Sequence, residues 1–74
     1  MTPQQLVDYL ETRGIGRKEF ADRLGVTESA ISFWLREGYM AYDRQCHVEK
    51  ELRGSKLRAD WDDIPANKRP VPTA

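Results

Sequence analysis

Six side chains between positions 27 and 36 carry the densest chemistry in this chain of 74 residues: Thr27, Glu28, Ser29, Ser32, Phe33 and Arg36. Hydroxyls can donate to phosphate oxygens or to either kind of base edge, and a carboxylate accepts from a cytosine amino group. A guanidinium pairs with guanine or phosphate, and an aromatic ring can touch a thymine methyl. This is recognition chemistry. Bond-making chemistry needs a nucleophile, a base and an orienting group, and the chain offers one histidine, His47, one cysteine, Cys46, and no glycine-rich phosphate loop. It is not expected to be an enzyme. Neighbours on a helix do not face each other, so Cys46 and His47 do not form a reactive pair. Cys46 reads as a buried or half-buried structural thiol. One Cys and one His cannot build a four-ligand zinc site. Asp60, Asp62 and Asp63 read as a solvated acidic surface. No metal and no other cofactor is expected.

The residues that could do this work must be held by helices. Thr2 can cap a first helix, with Pro3 at its first position, Leu6, Val7 and Leu10 as its apolar stripe, and Gly14 as its stop. Arg17 to Leu24 is a second, short helix that buries Phe20, Ala21 and Leu24, and Gly25 closes it. Thr27 can cap a third, with Ala30, Ile31, Trp34 and Leu35 as its core face and Gly38 as its end. That core face turns the six recognition side chains outward. Two short helices joined by a three-residue turn have the spacing of a helix-turn-helix, here spanning residues 17 to 36. Asp43 is expected to cap a fourth helix that runs to about Leu52 with Val48 and Leu52 inward, and Gly54 ends it.

Beyond Gly54 the signals weaken. Leu57, Ala59 and Trp61 alternate like a short strand, and residues 55–63 are open between a hairpin strand, a helical turn and an irregular stretch, with the helical reading preferred because no hairpin partner follows. From Pro65 three prolines fall within the last ten residues, and the segment 65–74 reads as an extended or disordered tail after a domain over 1–64. Lys68 and Arg69 are expected to be solvated in it.

The chain balances 12 basic against 12 acidic residues, so it cannot bind nucleic acid by bulk charge. Its positive charge has to be local. Arg17, Lys18 and Arg44 stand at expected helix starts, where they and the free N–H groups suit backbone phosphates. The apolar runs are short and broken by charges, so nothing resembles a signal peptide or a membrane span, and a reduced, cytoplasmic setting is the expected default.

The run RKEFADRLGVTESAISFWLR resembles the helix-turn-helix of phage and prophage repressors. Ala21 stands at the small residue where the helices cross, Gly25 at the turn glycine, and Val26 at the apolar residue after it. Ile31 and Trp34 stand at the core positions of the second helix. The following WLREGYMAYDRQCHVEKELRG resembles the Cro and YdaS-like group, with Met40, Arg44, Val48 and Glu49 at matching places and Ala41 where the group usually has proline. The resemblance implies an all-α, four- to five-helix, lambda-repressor-like domain. It implies a DNA-binding regulator that binds a double-stranded operator as a homodimer, through Arg17, Lys18, Thr27, Glu28, Ser29, Ser32, Phe33, Arg36 and Arg44. A YdaS-like antitoxin-type regulator, or a protein-interaction module on the same scaffold, is the alternative. Glu28 is either a base reader or a solvated or capping charge. Phe33 is either a DNA or partner contact or a hidden core residue. Trp34 is expected in the core, and Leu57 and Trp61 have no clear place there and are expected at a dimer contact.

Overall fold

The structure, a computed structural model, describes residues 1–69. The fold is all-α. Helices α1 (Pro3–Arg13), α2 (Arg17–Leu24), α3 (Glu28–Glu37) and α4 (Tyr42–Glu51) are followed by 3₁₀ turns at Trp61–Asp63 and Ala66–Lys68. Among the described residues there is no strand, and no helix is long and apolar enough to cross a membrane.

Each helix starts and stops for a local reason. At the head of α1 the Gln5 N–H donates to Thr2 Oγ1 at 3.2 Å, and the Thr2 N–H donates to Gln5 Oε1 at 2.9 Å. This reciprocal box satisfies two donors that a bare helix start leaves open. Gly25 closes α2 in the left-handed region at φ 79°, where the absence of a Cβ removes the steric penalty. Its N–H donates to the Asp22 carbonyl at 3.3 Å and the Val26 N–H to the Ala21 carbonyl at 2.9 Å. That pair of bonds is a Schellman closure, and its accompanying apolar contact is Val26, half-buried against the core. Thr27 then caps α3, accepting from the Ala30 N–H at 3.3 Å.

One core joins the four helices. Leu6, Val7 and Leu10 of α1 meet Phe20, Ala21 and Leu24 of α2, Ile31 and Trp34 of α3, and Val48 of α4, with Met1, Met40 and Leu52 between elements. Phe20, Leu6 and Ile31 are completely buried. Ala30 and Leu35 are only half-buried, at the margin of the face they were expected to fill.

Several expectations need correction. Asp43 is not the cap of α4. The cap position is Ala41, two residues earlier, whose carbonyl accepts from the Gln45 N–H at 3.0 Å, so Asp43 lies inside the first turn as a charge favourable to the helix dipole. Cys46 is exposed. Gln45, Val48 and Leu52 take the inward positions, and Cys46, one residue after Gln45, is turned to solvent. Residues 55–60 are irregular, and the only helical piece of 55–63 is the short turn at Trp61–Asp63. Ile64 is 1% exposed and fastens this segment to the body. Pro65 to Arg69, expected in a free tail, form a second turn that Arg69 ties back, its Nε donating to the Ile64 carbonyl at 2.8 Å. The rest of the expected tail, 70–74, lies outside the described residues.

Ala41 has φ −57°. Proline prefers about −65° and loses no side-chain freedom, so Ala41→Pro should stabilise the chain by about 0.4–1 kcal/mol through its unfolded state. A rise in the urea midpoint at constant m-value is the expected reading. A fall would mean that the Ala41 N–H or the Met40 backbone cannot accept the ring.

Candidate nucleic-acid interface

The core face of α3 determines what is left outside. Ile31 and Trp34 point inward, so Thr27, Glu28, Ser29, Ser32, Phe33 and Arg36 are all exposed. Glu28, Ser29, Ser32, Phe33 and Arg36 line one shallow depression along the helix. Phe33 is not a hidden core residue: it is 48% exposed. The Arg36 guanidinium carbon lies 5.4 Å from the centre of its ring, within the range of a cation–π contact. Glu28 occupies the first turn of α3, and the cap there is supplied by Thr27 rather than by Glu28. Among the described residues no ion pair engages Glu28 or Arg36.

The other expected cations stand at helix starts without a side-chain cap, each of which also carries a carboxylate in its first turn, Glu19 in α2 and Asp43 in α4. Arg17 and Lys18 are exposed in the first turn of α2, whose cap position is Gly16 and carries no side-chain hydrogen bond. Arg44 is exposed in the first turn of α4, where Ala41 likewise supplies none. The starts of α1 and α3, by contrast, are satisfied by threonine hydroxyls. An uncapped start leaves N–H donors and the positive end of the helix dipole for an anion.

No family model, curated protein or solved structure matches the chain.

The expected dimer residues are placed differently from each other. Leu57 is half-buried and packs against the chain's own core. Trp61 is 39% exposed and meets Tyr42, also 39% exposed, edge to face with ring centres 5.5 Å apart. Tyr42 was not singled out from sequence; its position at the first residue of α4 becomes informative only once the turn at Trp61 folds back on it. The Tyr42 phenol is raised above its ordinary pKa, first by the charge of a neighbouring Cys46 thiolate, then by partial desolvation and a hydrogen bond with Cys46, with Glu49 and Asp60 adding to it.

The acidic group near the chain end has structural partners. Asp60 accepts from the Asp62 N–H at 2.9 Å, capping the turn, and Asp63 lies 2.8 Å from the Met1 amine. Among the described residues no group of three or more His, Cys, Asp or Glu side chains converges as a metal site would.

Proposed function

We propose that this chain is a sequence-specific DNA-binding transcriptional regulator, a Cro-like repressor of phage or prophage type that binds an operator as a dimer. The observation that carries the reading is the outward face of α3, where hydroxyls, a carboxylate, an aromatic ring and a guanidinium line one depression. In a helix-turn-helix the second helix enters the major groove and its first residues meet base edges. Glu28, Ser29, Ser32, Phe33 and Arg36 would then read bases, and Thr27, Arg17, Lys18 and Arg44 would hold phosphates. A cytoplasmic setting, in which the exposed Cys46 stays reduced, goes with this role.

One reading helix offers few contacts, so two copies are needed for strong specificity. A two-fold pair sets the reading helices about 34 Å apart, in successive major grooves. Because Leu57 is engaged by its own core, Trp61, together with Tyr42, is the better surface for the second copy. Truncation before Leu57 would also remove buried Ile64, so a point substitution is the sharper test. Trp61→Ala should leave the fold intact and lower affinity for a full inverted-repeat site more than for a half-site. Sedimentation showing one protein per duplex at saturation would remove the dimer from the reading.

Binding should fall steeply with salt, because each neutralised phosphate releases counterions. With Arg17, Lys18 and Arg44 from each of two protomers, log affinity against log salt should have a slope of about −5. Arg17→Ala should flatten it and weaken all sequences alike. Fluorescence anisotropy on duplexes selected from random DNA measures both. A zero net charge and an exposed Phe33 favour, as a second reading, a protein-interaction module on the same scaffold. Failure to bind any selected duplex at low salt would move the assignment there.

A further inference from the structure

We propose that Phe33 and Arg36 act as one reading unit for a single base step: a guanine taken by Arg36, next to a pyrimidine bearing a 5-methyl group, thymine or 5-methylcytosine, taken by the Phe33 ring. The inference rests on the DNA-binding reading above and names what that face selects.

The two side chains are one turn apart and in contact, with the guanidinium 5.4 Å from the ring centre. Their neighbours on the face, Ser29 and Ser32, are small, so the half-exposed ring stands as the one large apolar surface in the depression. No carboxylate pairs with Arg36 among the described residues, so its donors are open to a ligand. The ring also gives the long arginine side chain a resting place, which reduces the rotamer freedom it has to give up on binding.

The major groove supplies a matching pair of features. Guanine presents two acceptors, O6 and N7, in the geometry an arginine fork fits. Among the four DNA bases thymine alone presents a methyl there, and 5-methylcytosine carries the same group at the same ring position. A methyl on the adjacent pyrimidine sits one base step along the groove from those acceptors, an axial rise of about 3.4 Å, and two touching side chains can reach both. An unmethylated cytosine or a uracil leaves the Phe33 ring against water. Glu28 lies at the other end of α3 and so addresses a different base pair.

The test uses the full chain on its best site selected from random duplex DNA, with base changes scanned along it by anisotropy. Replacing one thymine by uracil should cost roughly four-fold, the value of one buried methyl, and 5-methylcytosine at that position should outbind cytosine by a similar factor. Replacing the neighbouring guanine by adenine should cost roughly 5- to 150-fold. Phe33→Ala, at a half-exposed position, should fold as the parent does and lose the uracil effect while still binding DNA at low salt. A uracil scan that is flat along a bound site overturns the proposal and leaves DNA binding standing. Arg36→Ala weakening every duplex alike places the guanidinium on phosphate and overturns it too. Failure to bind any duplex removes the DNA reading itself, and this proposal with it.

Discussion

Phe20→Ala is expected to cost about 3–5 kcal/mol of folding stability, the range for deleting a fully buried aromatic ring. Phe20 is 0% exposed and sits in the cluster that joins all four helices. A core this small rarely supplies more than about 3–5 kcal/mol in total, so the variant should be largely unfolded at 37 °C. Phe33→Ala is the matched control. It removes the same ring from a half-exposed position and should change stability by about 0.5 kcal/mol or less. Urea titrations followed by circular dichroism compare the two directly. Similar midpoints would mean that the faces of α2 and α3 are assigned the wrong way round.

The second large effect belongs to Gln45. Its side chain is completely buried in a position where a leucine would satisfy the apolar pattern of α4. Its Oε1 accepts from the Met1 amine at 2.9 Å and from the Asp60 N–H at 2.8 Å, and its Nε2 donates to the Met40 carbonyl at 3.0 Å. One amide thereby joins the start of the chain, the entry to α4 and the segment after it. The Met1 amine also donates to the Arg58 carbonyl at 2.7 Å and pairs with Asp63, which tightens the same junction. Gln45→Leu keeps the volume but strands the buried Met40 carbonyl, at about 1–3 kcal/mol, and removes the acceptor of the part-buried Asp60 N–H, which costs less because water can reach it. A total loss of about 2–4 kcal/mol is expected, together with faster hydrogen exchange at the Asp60 amide. A variant as stable as the parent, with that amide still protected, would show that the junction is held by Ile64 and the other apolar contacts alone.

Much of the architecture is readable from short-range rules. Thr2 and Thr27 announce helix starts because a hydroxyl at the cap satisfies a nearby N–H, and Gly14, Gly25 and Gly38 mark helix ends because all three adopt positive φ. The outward set on α3 follows from Ile31 and Trp34 by helical periodicity. Where such local signals compete, they mislead. Asp43 is a good capping residue by type, yet Ala41 holds the cap position of α4, and Gln45 and Val48 are the residues that its register turns inward. The same register exposes Cys46, which composition alone would bury.

The sequence by itself determined the four helices, the three-residue turn between α2 and α3, and which side chains α3 turns outward, since each depends on residues within about one or two helical turns of each other. Only the tertiary structure decided the junction of Met1, Gln45, Asp60 and Asp63, the burial of Ile64 and the contact of Tyr42 with Trp61. The partners in these contacts lie far apart along the chain. No periodicity or cap encodes such a pairing; it exists only once the segment after α4 has folded back across the helices.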